Sequence, residues 1–418
     1  MGLFDRQNMI ISPQAAKMIK NLRILVVGAG AGGNELLKNL LLMGFGNITI
    51  IDFDTVEDSN LSRTTLFRKE DIGKSKSIVA AQRLQEVALH ENPHIIGLHG
   101  NLITDFGKGI FVEHDVVFSC VDTLKCRAYI NDWCVRTRTP FFEMGFSEYN
   151  VNVTFFCPEG LMTQKDGKKI KTLPTKDGYF PTFTKDFEVC LREDIGIGAF
   201  EEKRNTCSGF KVKDANLAKI PTIQVSSAMA ATFCATELIK FLDGKDTIRN
   251  KSLMYFGLTY ETMVCGFKRN PKCTIHDEKK KIIQTEVSET DTLADVLAKL
   301  EQQTGKTVWL KQPDSFVFSG NCHICGKKIV YNKRFSEIWD EERWCKECRD
   351  TNPDFSNRIE YASNLVKTPS ELTANSSQEF LQMTIRALGI PDNDIVPATI
   401  IGKRTKTDCF IYLKQVTK

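Results

Sequence analysis

The chain has 418 residues, 42% hydrophobic and 26% charged, with a formal net charge of +4. That length exceeds one ordinary core and implies two or three domains, while so small a charge gives no general attraction to nucleic acid or to an anionic membrane. No run of about eighteen apolar residues occurs, so no membrane span is expected, and 14 cysteines without a secretion signal indicate reduced thiols in a cytoplasmic setting, used for metal or catalysis.

The N-terminus, MGLFDRQNM, has no apolar signal core, and Arg6 stands where a myristoylation signal needs Ser or Thr. RILVV (23–27) is a continuous apolar run, the mark of a strand buried on both faces. Three glycines follow, Gly28, Gly30 and Gly33, and then a helix over 34–43. Glycines between a strand and a helix allow a tight turn and let the backbone approach phosphates at the helix N-terminus. NITIIDF (47–53) is the second strand. Asp52 at its end, some two dozen residues after the first glycine, is placed to accept ribose hydroxyls.

The same loop, DFDTVEDSNLSR (52–63), continues to Asn60 and Arg63, and Lys76 opens the next helix. One amide and two cations exceed what a nicotinamide cofactor needs. They suit a triphosphate whose leaving pyrophosphate accumulates charge. That helix reads as 74–93, stopped by Pro93. Strands follow at 95–98, 115–120 and 140–145, with a helix over 123–138. Alternating helices and apolar strands predict a doubly wound, Rossmann-like α/β domain. Asp122 lies just past the fourth strand, where ligands bind in such sheets; a carboxylate there is a magnesium ligand, a helix N-cap, or both.

From 157 to about 186 the chain is polar and reads as a surface excursion. A long helix over 221–244, rich in small residues, begins with Pro and stops at Gly244. It is suited to close packing, inside the domain or against a second subunit. After 276 the pattern changes to a smaller α+β domain, 277–418, with a strand–helix–strand unit at 282–311, a last helix over 377–389 and strands at 395–401 and 409–414. Within it Cys322, Cys325, Cys345 and Cys348 form two Cys-x2-Cys pairs spaced for a closed, structural zinc site.

Several stretches together resemble the ubiquitin-activating and bacterial ThiF-like adenylyltransferases: DRQ (5–7), the glycine loop, DFDTVEDSNLSR, DIGKSK (71–76), NPHI (92–95), VDTLKCR (121–127) and RNPKCTIH (269–276). They cover residues 5 to 276 in the family's order. The resemblance implies an adenylation domain over 1–276 that uses ATP and magnesium. Asp52 would bind ribose, Asn60, Arg63 and Lys76 the phosphates, and Asp122 the metal. Arg6 matches an arginine that reaches the ATP of the partner subunit in a homodimer. Two departures stand out: Ala31 and Gly32 occupy the places of the usual Gly and aliphatic residue, and Thr123 replaces a common Asn in the nucleotide site.

The family adenylates the C-terminal carboxylate of a ubiquitin-like protein, and a cysteine can then take the acyl group as a thioester. Cys207, in the region 190–220 ahead of the long helix, is the matching residue, and Lys203 and Arg204 beside it favour thiolate. A second zinc site would use Cys190, Cys273 and His276, but Phe187 stands where a fourth ligand belongs. The expected function is activation of a ubiquitin-like protein, followed by transfer to a conjugating enzyme. The alternatives are activation of a sulfur carrier for thiamin or molybdopterin synthesis, a non-catalytic binding partner, and a nicotinamide-dependent oxidoreductase.

Overall fold

The computed structural model describes residues 2–158 except 91, then 187, 189–191, 223–269, 273, 275, 281–351 except 313, 323, 336–337, 339–341 and 343–344, and 363–416. Cys207 and His276 lie outside the described residues. The chain forms two compact units, Met1–Asp105 with Phe111–Lys279, and Phe106–Ile110 with Lys280–Lys418.

The first unit is built on β1 (Arg23–Val27), β2 (Asn47–Asp52), β3 (His94–His99), β4 (Val116–Ser119), β5 (Phe141–Ser147), β6 (Asn150–Phe156), β7 (Lys251–Phe256) and β8 (Glu261–Gly266). These make one eight-stranded sheet in the order β3-β2-β1-β4-β5-β6-β7-β8. The first five are parallel and the last three antiparallel, so the parallel sheet legible in the sequence is continued by three strands that it did not announce. Ile24, Leu25 and Val26 are wholly buried, as a strand covered on both faces requires. Phe142 stacks between Phe118 and Phe155, with ring centroids 4.8 and 4.2 Å away.

The helices are α1 (Asp5–Asn8), α2 (Pro13–Asn21), α3 (Ala31–Leu42), α4 (Lys76–Glu86), α5 (Ile110–Glu113), α6 (Leu124–Thr137) and α7 (Gln224–Leu242), of which α3, α4, α6 and α7 pack on the sheet. Ser12 caps α2 by accepting from the Ala15 N–H, with Pro13 in the first turn. Helix α4 is shorter than the sequence pattern, ending at Glu86 rather than running to Pro93. The chain must turn back early because β3 starts at His94, level with Asn47 of β2. The Gln85 side chain, donating to the Ile95 carbonyl at 2.7 Å, ties that reversal. Helix α7 is long and apolar enough, by length and composition alone, to cross a membrane, but 56% of its apolar window is buried inside the unit. It carries buried Ser226, Ser227 and Glu237 and packs on α3, β5 and β6.

In the second unit β9 (Ile282–Val287), α8 (Leu293–Thr304) and β10 (Thr307–Lys311) fall where the sequence placed a strand, a helix and a strand. Thr292 and Asp295 form a capping box at the start of α8, and Gly305 ends it. With β14 (Glu371–Leu372), β15 (Ile395–Ile401) and β16 (Lys406–Gln415) they give a sheet in the order β14-β10-β15-β16-β9. Val296, Leu300, Val308, Leu310, Ala398 and Ile411 fill its core. The expected helix over 377–389 is reduced to Gln378–Leu381. The next turn is opened by Thr384, which bridges to Thr292 and takes the Ala387 N–H on its hydroxyl. Lys108 is anchored here, its ammonium bonding both oxygens of Asp394 at 2.8 and 2.7 Å. A three-stranded sheet, β12-β11-β13, completes the unit, from β11 (Phe316–Asn321), β12 (Lys328–Arg334) and β13 (Ser363–Lys367).

Candidate nucleotide site and zinc centre

The order of strands reverses between β1 and β4: the chain runs outward through β2 and β3, then crosses back to β4. Open α/β sheets bind ligands at that point, beyond the carboxyl ends of the strands. Here the Gly28 N–H donates to the Ile51 carbonyl and the Cys120 N–H to that of Val27, both at 2.8 Å. Gly28, Asp52 and Cys120 therefore sit at one level, with Asp122 just beyond.

The glycines divide into two kinds. Gly28 has φ +94°, and a Cβ there would stand 2.5 Å from the Cys120 carbonyl oxygen; a Cβ on Gly33 would strike the Gly28 carbonyl. Both are glycine for the fold's sake. Gly30 is different: it is the N-cap of α3 in an extended conformation, with no side-chain cap, and a Cβ on it would meet nothing within 4 Å. Space over a helix N-terminus with its N–H groups uncapped is where an anion can approach.

Asp52 is almost fully buried, and its oxygens accept from the Ala29 N–H at 2.6 Å and the Asp54 N–H at 2.7 Å. Burial pushes its carboxyl pKa up, opposed by those two N–H groups and by Lys76. Each oxygen retains a lone pair for a ribose hydroxyl. The Lys76 ammonium pairs with Asp54 at 2.8 Å. Asn60 is buried, and its amide oxygen caps its own turn by accepting from the Glu57 N–H at 2.9 Å. Arg63 is half-buried and donates to the Ser59 carbonyl at 3.2 Å. Asp122 is exposed. The N-cap of α6 is Thr123, whose hydroxyl accepts from the Cys126 N–H at 3.4 Å, so Asp122 does not serve as the cap and Thr123 does. Among the described residues no hydrogen bond or ion pair joins Arg63, Lys76 and Asp122 to one another. Arg6 lies exposed on α1.

Two supports of this site carry no motif in the sequence. Asn34, wholly buried, donates to the carbonyls of Ala29 (2.6 Å) and Gly30 (3.3 Å) and accepts from the Leu66 N–H (3.0 Å), tying the glycine turn to the loop after Arg63. Arg127 is buried against Glu143. A carboxylate inside the apolar strand PFFEMG was the available signal, because a buried charge demands a partner.

In the second unit the sulfurs of Cys322, Cys325, Cys345 and Cys348 lie within 4.8 Å of one another, Cys325 and Cys345 at 3.4 Å. Tetrahedral zinc with bonds of about 2.3 Å places sulfurs about 3.8 Å apart, so the four thiols fit that ion. The first knuckle turns on Gly326 (φ +72°), whose N–H donates to the Cys322 carbonyl. Burial pushes the Cys322 thiol up, but hydrogen bonds from the backbones of Cys345, Cys325 and Ile324 outweigh it and bring it down to about 6. All four positions are thiols and no ligand place is left open, which marks a structural site. In the first unit the buried sulfurs of Cys190 and Cys273 stand 3.9 Å apart. Phe187 is buried against Phe141, with ring centroids 6.1 Å apart, and supplies no ligand.

A glycine turn at the switch point with a carboxylate ending β2 defines a nucleotide-binding α/β domain of the Rossmann kind. The ThiF family matches residues 4–275, and the chain belongs to that family. SUMO-activating enzyme subunit 2 of Dictyostelium discoideum is 42% identical over 132 residues, 31% of this chain and 20% of that protein. The NEDD8-activating enzyme E1 catalytic subunit of Caenorhabditis elegans is 39% identical over 123 residues, 28% of this chain and 27% of that protein. The chain thus spans about a fifth to a quarter of the length of these curated relatives. Among solved structures, Escherichia coli MccB with AMPCPP and its MccA peptide superposes with a TM-score of 0.46 at 21% identity, covering 63% of this chain and 68% of that one.

Proposed function

We propose that the protein is an ATP-dependent activating enzyme that adenylates the C-terminal carboxylate of a ubiquitin-like protein. Family membership and the activating-enzyme relatives support this reading. The observation that carries it is the open face of Gly30 at the switch point, with Asp52 behind it. In this reading Asp52 accepts the ribose hydroxyls, and the N–H groups at the start of α3 face the phosphates. The carrier's carboxylate oxygen bonds to the α-phosphorus as the bond to the bridging oxygen breaks. Pyrophosphate departs with that electron pair and the carrier holds AMP as a mixed anhydride. Arg63 and Lys76 draw toward the growing negative charge, which requires Lys76 to exchange Asp54 for phosphate. Asp122, an exposed carboxylate just past the end of β4 and without a hydrogen-bond or ion-pair partner among the described residues, has the hard oxygen donors that magnesium prefers. Magnesium, when bound, supplies charge neutralisation on the departing pyrophosphate.

The later steps belong to the same proposal. The Cys207 sulfur bonds to the acyl carbon as the bond to AMP breaks and AMP departs, and a nucleophile of a conjugating enzyme then takes the acyl group as the Cys207 thiolate leaves. Arg6 reaches the nucleotide of a second copy of the chain. Leu3, Met9 and Ile10 around it are 67%, 74% and 73% exposed, an apolar surface suited to being covered in a homodimer. The test is ATP–pyrophosphate exchange with ubiquitin, SUMO and NEDD8 supplied in turn. Exchange that one of them stimulates, that Asp122→Ala abolishes and that Cys207→Ala leaves intact supports the reading. Adenylate-independent ATP hydrolysis with no exchange in any arm overturns it.

A further inference from the structure

Asp122 has to be held in place, and its own side chain does none of the holding: among the described residues its carboxylate has no hydrogen-bond or ion-pair partner. Its position is set by the main chain on either side. On the Val121 side one guanidinium does the work. Arg127 donates to the Val121 carbonyl twice, from Nε at 3.0 Å and Nη2 at 2.8 Å, and Nη2 also reaches the Met144 carbonyl at 3.2 Å. Its Nη1 is bound to Glu143. On the other side Thr123 caps α6, and its carbonyl accepts from the Arg127 N–H at 3.1 Å. The fork of Arg127 therefore spans the loop beyond β4 and the neighbouring strand β5, with both partners of the ion pair buried.

A buried ion pair is a poor way to stabilise a fold, since apolar residues of the same volume do as well or better. It is a good way to fix a geometry, because a planar fork with five donors admits few orientations. We propose that Arg127, oriented by Glu143, is a positioning residue that sets the main chain at Val121 so that the Asp122 carboxylate meets magnesium on the bound nucleotide. This rests on the reading of Asp122 as the magnesium ligand. Lysine at 127 would keep a positive charge beside Glu143 but could not grip the Val121 carbonyl from two nitrogens at once.

The experiment measures binding of mant-ATP to the full chain by fluorescence anisotropy, once in EDTA and once in saturating magnesium chloride. The ratio of the two affinities is the coupling between metal and nucleotide. Arg127→Lys and Glu143→Gln should each keep the EDTA affinity within about twofold of the wild type and lower the coupling by about fivefold or more, as Asp122→Asn does. A merely structural role would move both affinities together. If Asp122→Asn loses the coupling while both other variants keep it, the positioning role is overturned. If Asp122→Asn itself keeps the coupling, the reading of Asp122 fails and this inference falls with it. Each variant reports alone, so a misfolded Arg127→Lys protein leaves Glu143→Gln to decide.

Discussion

Substituting two glycines in the same turn should separate the needs of the fold from those of the ligand. Gly28→Ala asks alanine to adopt φ +94° and puts a methyl carbon 2.5 Å from the Cys120 carbonyl oxygen. The unfavourable backbone costs about 1–3 kcal/mol and the collision about as much again. At about 2–4 °C per kcal/mol for a unit of this size, the melting temperature should fall by about 4–24 °C. Gly30→Ala is extended and its methyl enters open space, so the fold should lose no more than about 1 kcal/mol, the difference between glycine and alanine at a helix N-cap. That same methyl stands where a phosphate would approach the helix. Overpacking of about 1.4–3 kcal/mol there corresponds to mant-ATP binding weaker by about ten- to a hundredfold. Differential scanning fluorimetry and fluorescence anisotropy on the two variants read both effects. Gly30→Ala binding as tightly as wild type would refute the placement of the nucleotide, and Gly30→Ala melting as early as Gly28→Ala would refute the division of roles.

Among the described residues the three-stranded sheet of the second unit has only Val317 and Tyr331 as buried members of its apolar cluster, too little to fold without help. Chelation, or Cys345→Ser, should therefore unfold this sheet and release its zinc, read by a colorimetric zinc assay together with loss of amide protection over β11 and β12; a sheet that keeps its protection after the metal leaves contradicts the assignment. Lys108→Ala leaves Asp394 buried without its cation and should destabilise the second unit by about 3–5 kcal/mol in urea, whereas an effect below about 1 kcal/mol would mean the pair is solvated. The Asp71 carboxyl lies below its ordinary range: burial raises it, but the Arg68 N–H, Lys74 and Arg83 together prevail. A depressed carboxylate contributes stability above its unfolded pKa and loses it as pH falls through the folded value. Melting temperature should accordingly drop below about pH 4, and Asp71→Asn should lower it at neutral pH and flatten that acid limb; an unchanged acid limb would show that Asp71 does not carry it.

Where burial on both faces leaves a continuous apolar run, as in β1, or where cap residues bracket a helix, as Thr292 and Gly305 do, local sequence and structure coincide. The strand–helix–strand unit opening at Ile282 was legible for that reason. The end of α4 was not, because it is set by the need to place His94 beside Asn47, a distant pairing. The helical pattern at 377–389 stops at Leu381 in the structure because the Met383 carbonyl accepts from the distant Leu293 N–H and Thr384 bridges to Thr292, a tertiary pairing the local pattern does not carry. In the candidate site, Gly28, Gly30, Asp52 and Asp122 stand out from spacing alone, because the turn and strand ends that they occupy repeat a known geometry. Asn34 and Arg127 do not, because their roles arise only when the loops around the switch point meet; Glu143 signals only that some cation must pair with it. Asn60 shows the opposite case: its side chain already caps a turn, so any contact with phosphate must come at the expense of the Glu57 N–H or through the amide nitrogen.

The most direct measurement is a crystal structure of the full chain with AMP-PNP and magnesium. It should place the ribose on Asp52, the phosphates over Gly30, and the Arg63, Lys76 and Asp122 side chains turned inward on one nucleotide, with Lys76 released from Asp54. A nucleotide bound elsewhere, or those three side chains directed away from it, would contradict the proposed adenylation site.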